Sequence, residues 1–388
     1  MCGLRFRPLL GASLWALLWI GSAENWAASP ELFGFDPAGK PAREQAFELL
    51  TDAQFDQVES SMDRALEYLS RQQRRDGSFP AVNRAQPAIS GLCVMAFLSR
   101  GHTPGRGPYG DNILRAVEFI LACQQSDGLL AQIPPEEEYV LKGSSHTAPY
   151  NHSIGLLTLA EVYGMLDASR EARLRPAITQ AIQYTSNTQV LAAKSADDVG
   201  GWGYTPPSLD HNLTDLSVVS WEIMSLRASK NAGFAVSTDV IDKAMAYVER
   251  HFDAATGGFK YVKSESGPST SMTGVGILML TLGGRHDSKT IGAAGDWLLA
   301  HPWVYDPLPD GDSSEYAAYY VSQAALQLGP SYWPRIYPDI LTTLIKNQRN
   351  DGSWSASAHA LAFGKPYTTA MYVLTLGAPL QLLPIYQR

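Results

Sequence analysis

Two apolar patterns alternate along the chain. In one, apolar residues recur at helical spacing on one face and charged residues fill the other, as from Val58 onward. In the other, a segment rich in Ala, Leu, Ser and Thr is apolar nearly all round, as from Ala88. The first pattern predicts a helix lying on a core, the second a helix inside one. A Gly-containing turn, often followed by an aromatic residue, links them.

The alternation repeats. The first copy spans Val58 to Arg100, with the turn Gln73-Arg74-Arg75-Asp76-Gly77-Ser78-Phe79. The second has Gln124-Gln125-Ser126-Asp127-Gly128, then His152 to Met165; the third has Gly200-Gly201-Trp202, then Asp215 to Ala228. The fourth has Gly257-Gly258-Phe259, then Ser271 to Leu282. The fifth is degenerate: Ile291 to Leu299, a Pro-containing loop, then Tyr316 to Leu328. The last has Gln348-Arg349-Asn350-Asp351-Gly352-Ser353-Trp354, then Tyr367 to Leu376. A period of about 50 residues with two helices per unit means stacked hairpins. The apolar helices form an inner ring and the amphipathic ones cover it. The expectation is an all-α fold, a single closed α/α toroid of about six hairpins, with inner helices starting near residues 88, 150, 214, 270, 315 and 367. Each turn Gly is expected to serve as a left-handed helix C-cap, with the following aromatic wedged between hairpins.

The first residues break the pattern. Arg5 and Arg7 precede an apolar run from Leu9 to Ile20 and the small residues Gly21-Ser22-Ala23, which reads as a signal peptide. The expected organisation is a signal peptide at 1–23, a lead-in segment at 24–55 and the toroid at 56–388, with a secreted or periplasmic location. An uncleaved leader is the alternative, and the membrane is met only there. Net charge is −8, and no basic cluster points to nucleic acid. Cys2 leaves with the leader. Cys93 and Cys123 read as two separate buried thiols, although export also permits a disulfide.

The turns ending in Phe79 and Trp354 resemble the Gln-Trp repeats of squalene and oxidosqualene cyclases. Gly200-Gly201-Trp202 and Gly257-Gly258-Phe259 look like the Gly-Gly-Phe turns of protein prenyltransferase β-subunits. The resemblance covers nearly all of the chain from about residue 56. It implies an α/α toroid whose functional groups sit at inner-helix N-termini around one rim. Class II terpene cyclases carry Asp-x-Asp-Asp-Thr there. Aligned on Trp221, those three Asp positions hold Asn212, Thr214 and Asp215. Thr214 falls where the resemblance places the proton donor, and a hydroxyl is too weak an acid for that step. The Asp, Cys and His of the zinc prenyltransferases fall on Tyr316, Ala318 and Thr368, which are no zinc set. The sequence therefore implies no metal and no cofactor.

Asp215 reads either as a helix N-cap or as a catalytic acid, with Asp210 as its companion. His146, His152 and His211 join them as a polar cluster or as ordinary capping residues. Tyr150 and Thr214 lie on the same rim. Trp221, Tyr316, Tyr319, Tyr320 and Tyr367 read as an aromatic cavity wall or as plain core. Asp197-Asp198 and Glu136-Glu137-Glu138 read as solvated loop acids. The leading functional reading is a non-catalytic binding or scaffold toroid, its partner an apolar or isoprenoid ligand or an envelope protein. An isoprenoid cyclase with a non-standard acid is the alternative. A carbohydrate-active α/α-barrel enzyme is the third reading and needs two facing carboxylates.

Overall fold

The structure is a computed structural model describing residues 50–135, 147–192, 195–204, 214–264, 267–285, 288–305 and 314–386. The expected signal peptide and most of the expected lead-in fall outside the described residues. All of the latter belong to one compact unit, Gly34–Arg388.

Among the described residues, twelve α-helices alternate between two rings. The outer helices are α1 (Asp52–Gln72), α3 (Gly110–Ala122), α5 (Ala168–Thr188), α7 (Thr238–Arg250), α9 (Ser288–Ala300) and α11 (Trp333–Asn347). The inner helices are α2 (Ala88–Ser99), α4 (Ala148–Val162), α6 (Leu216–Asn231), α8 (Thr270–Leu282), α10 (Ser314–Leu328) and α12 (Lys365–Leu376). The inner starts agree with the expected ones. Each inner helix packs on the next, and α12 returns to α2, so the ring is closed. Each outer helix sits over the groove between two inner neighbours. This explains the two patterns: every residue of α2 is buried, whereas α7 buries the stripe Val240, Ala244, Met245, Tyr247 and Val248. Helix α1 starts at Asp52, a little before the expected toroid boundary, because Thr51 and Gln54 form a capping box. Among the described residues, no helix is long and apolar enough to cross a membrane. Cys93 and Cys123 are separately buried free thiols.

The repeat turns fasten one outer helix to the next. Gln73 Nε2 donates to Gly77 O at 3.0 Å and to Asn112 O of α3 at 2.8 Å. Gln124 reaches Ala177 O of α5 at 2.8 Å, and Gln189 reaches Val240 O of α7 at 2.9 Å. Gln348 closes the circle, donating to Gly352 O and to Ser61 O of α1, both at 2.9 Å. Asp351 Oδ1 ties the turn by accepting from Ser353 N–H at 3.0 Å and Ser353 Oγ at 2.6 Å.

The role expected for glycine needs correction. The residue capping α11 is Gln348, in extended conformation, and Gly352 lies four positions further on. Gly352 has φ +90°, and a Cβ there would stand 2.2 Å from Arg64 O of α1. The same approach recurs at Gly77, Gly128 and Gly200. Glycine is needed because backbone lies on backbone as well as for its dihedral angle. Two residues on, Phe79, Leu130, Trp202, Phe259 and Trp354 are all buried. Trp354 Nε1 donates to Leu344 O at 2.8 Å, and Trp202 repeats this bond to Thr185 O.

Two substitutions separate dihedral strain from close approach. Gly164 has φ +89° with open space around it, so Gly164→Ala should cost about 1–2 kcal/mol. Gly352→Ala should lower the melting temperature clearly further. Trp354→Ala should cost about 3 kcal/mol through the lost wedge. Equal shifts for the two glycine variants would show that the contact with α1 contributes nothing.

Candidate functional site

Because the inner helices run parallel, their N-termini meet at one end of the barrel. A cavity of about 700 Å³ lies there, and all six inner helices line it. Ala88, Ile89 and Leu92 come from α2, Tyr150 and Ile154 from α4, Ser217 and Trp221 from α6. Met272 comes from α8, Tyr316 from α10 and Tyr367 from α12. Loops add Tyr204, Tyr261, His359 and Phe363. Trp221 stacks on Tyr319, with ring centroids 5.7 Å apart and planes 4° apart. Behind them, Tyr386 from the C-terminal segment bonds its hydroxyl to that of Tyr319 and packs toward Met224.

Asp215 is buried beside this cavity as the N-cap of α6. Its Oδ1 accepts from Ser217 N–H and Val218 N–H, both at 2.9 Å, and from the Ser217 hydroxyl. Tyr150 and Ser217 hydroxyls meet at 2.6 Å, which links the cavity wall to the carboxyl. Burial raises the pKa of Asp215, against the opposing pull of the Ser217 hydroxyl, the Val218 N–H and the Tyr204 hydroxyl. Its Oδ2 completes no hydrogen bond of regular geometry. The hydroxyls of Tyr204 and Tyr261 are bonded to each other. Burial pushes Tyr204 up to about 12 and holds Tyr150 and Tyr316 well above their ordinary value, so the wall presents neutral phenols.

The candidate residues separate into groups. Tyr150, Trp221, Tyr316 and Tyr367 line the cavity. Tyr319 and Tyr320 are core behind it, with Tyr320 bonded to Ser220 Oγ at 2.8 Å. Thr214 is tied outward, its hydroxyl donating to Asp198 Oδ1 at 2.6 Å. Asp198 is therefore a partly buried anchor rather than a solvated loop acid. Asp210, His146 and His211 lie outside the described residues.

His152 does not line the cavity. It lies two positions after Tyr150, about 200° round the helix, and so faces the outer ring. Its Nδ1 accepts from Leu130 N–H at 3.1 Å. Its Nε2 therefore carries the proton and donates to Thr185 Oγ1 at 2.9 Å, which donates to Glu222 Oε2 at 3.0 Å. Burial lowers the His152 pKa to about 3 and raises that of Glu222 to about 8. The imidazole is thus a neutral bridge between rings.

The sequence reading missed Tyr204 and Tyr261. Both stand four residues after a turn glycine, Gly200 and Gly257, and this shared offset was the available signal. Glu315 was also missed as a fastener. It is fully buried and accepts from Ser357 N–H and Oγ, each at 2.8 Å, and from Thr368 Oγ1 at 3.1 Å. It thereby fixes the loop carrying His359 and Phe363 over the mouth.

No protein-family model matches this sequence, and neither does any curated protein. Solved structures do. A variant of the type II terpene cyclase MstE from Scytonema, in complex with the substrate geranylgeranyl dihydroxybenzoate, aligns with TM-score 0.52 and 14% identity. The alignment covers 86% of this chain and 100% of that one. A second MstE variant, holding the product merosterolic acid A, aligns with TM-score 0.50 and 16% identity over the same shares. The chain thus has the α/α toroid fold of type II terpene cyclases.

Two predictions follow from the buried carboxyls. Asp215→Ala should cost on the order of 1 kcal/mol, while Asp215→Asn keeps most of the stability, since Asn also caps. Equal loss in both variants would contradict the capping role. Glu222 binds its proton more tightly folded than unfolded, so the native state loses stability as pH rises from about 4.5 to about 8. Glu222→Gln should therefore raise the melting temperature at pH 8 and change it least near pH 4. A benefit that is the same at both pH values would contradict this sign.

Proposed function

We propose that the protein binds one apolar molecule along the axis of its toroid and performs no cyclisation. The observation that carries this reading is the aromatic cavity of about 700 Å³, floored by Trp221. Its volume falls in the usual range for small-molecule sites. The acid position of the cyclase pattern falls on Thr214, whose hydroxyl is held by Asp198, and this supports a barrel without that proton donor. That barrels of this fold hold geranylgeranyl dihydroxybenzoate and merosterolic acid A supports an isoprenoid-like guest. The apolar run from Leu9 to Ile20, read as part of a leader, supports an exported protein that binds its guest outside the cytoplasm.

One observation favours a catalytic reading. Asp215 is a buried carboxyl whose pKa is raised, beside hydroxyls that reach the cavity, as an acid catalyst requires. A two-carboxylate glycosidase mechanism has less support, because no Asp or Glu is among the described lining residues.

Native mass spectrometry of the full chain, incubated with a lipid extract from its source, tests the binding reading. One retained apolar molecule per chain is expected, and Ser217→Trp, which fills the cavity, should abolish it. Retention by Ser217→Trp, or none by the wild type, would overturn the proposal. Recovery of a cyclised product, lost in Asp215→Asn, would establish the catalytic reading instead.

A further inference from the structure

We infer that the guest carries a cationic ammonium head, seated among Tyr150, Tyr204, Tyr261, Tyr316 and Trp221 with Asp215 behind it. This inference rests on the apolar-ligand reading and names the chemistry of that ligand.

The wall is the first reason. Aromatic faces carry negative quadrupole potential and attract ammonium groups, most strongly where water is excluded. Tyr150 and Tyr204 stand with ring centroids 6.1 Å apart on adjacent parts of that wall. Raised phenol pKa values keep these rings neutral, so they offer faces and hydroxyl oxygens without a competing charge.

The buried acids are the second reason. Asp215 Oδ2 is fully buried and completes no hydrogen bond of regular geometry, a costly state for a carboxyl. Its organised neighbours Ser217, Tyr150 and Tyr204 all line the cavity. On α10, Glu315 is buried next to Tyr316 in sequence, and its hydrogen-bond partners, Ser357 and Thr368, are neutral. None of the ion pairs found among the described residues uses Asp215 or Glu315. No Lys or Arg is among the described lining residues. A cation entering the cavity would supply Asp215 with the missing countercharge, whereas an anionic head would lie near its buried carboxyl.

Inner-helix N-termini work in the opposite direction, since their dipoles favour anions. At α6 the exposed N–H groups are already taken by Asp215 Oδ1. At α8 the Met272 N–H is taken by Ser269 Oγ. Both caps are internal, so these ends offer an anion little.

Isothermal titration of the full chain with three probes sharing a dodecyl tail tests the inference. The probes are dodecyltrimethylammonium, a neutral dodecyl polyether and dodecyl sulfate, each kept below micelle formation. The cation should bind about tenfold tighter than the neutral probe, with the sulfate weakest. Asp215→Asn should shrink that preference to less than about threefold while sparing affinity for the neutral probe. Trp221→Leu gives a second check through the wall and should weaken the cation more than the neutral probe. Equal binding of cation and neutral probe would overturn the cationic head and leave the apolar site standing. Failure of all three probes would remove the apolar reading itself. Full retention of the preference in both variants would also overturn the assignment.

Discussion

One side-chain amide that bridges two backbones is the fastening on which this ring depends. The glutamine at the end of an outer helix places its two N–H groups on two carbonyls, one in its own turn and one in the neighbouring outer helix. Glutamine suits the task because it donates twice without charge. A hydrogen bond of this kind contributes only about 0.5–1.5 kcal/mol net, so the amide mainly sets geometry. The larger stabilisation comes from the aromatic wedge that the geometry seats, Trp354 in the closing turn. Glycine lets the turn lie flat on the next helix. The closing contact joins residues 287 positions apart, Gln348 and Ser61, and makes a ring of what would otherwise be an open stack.

Closure has a functional consequence. Parallel inner helices in a closed ring bring six first turns together, and first turns are where polar side chains cap helices. The same end therefore collects capping groups such as Asp215 and Ser269 and the aromatic residues that face the axis. At the other end, Tyr386 and Tyr319 fill the barrel. The result is a cavity with a floor. The fourth and fifth seams are built differently. In the fourth, Phe252 pairs across the turn where Gln124 does in the second, and the His251 ring bonds within its own helix end, Nδ1 to Tyr247 O at 2.9 Å. Between α9 and α11 the fastening falls to Tyr332, whose hydroxyl reaches Gly292 O at 3.3 Å.

Much of this architecture was legible in the sequence because burial leaves a periodic record. Helix α2 is buried all round and reads so, and the inner starts near 88, 150, 214, 270, 315 and 367 follow from the same contrast. The site was legible only in part. Residues close in sequence on a helix point in different directions, which is why Tyr150 lines the cavity and His152 bridges to Thr185. Tyr316 reaches the axis, whereas Tyr320, one turn deeper, is covered and bonded to Ser220. Tyr204, Tyr261 and His359 arrive from loops, whose return path no helical periodicity records. Thr214 shows a further limit: its partner Asp198 lies 16 positions away and is visible only in three dimensions.

Native-state hydrogen exchange across the closing seam is the most direct measure of closure. If the contact of Gln348 and Gly352 with α1 completes the ring, the amides of α1 near Arg64 and those of α12 should exchange only through global opening. Their protection should equal that of α2 and fall together with it as denaturant is added. Exchange of α1 through a separate opening of lower free energy, with α2, α4 and α6 still protected, would contradict the closed ring as the unit of stability.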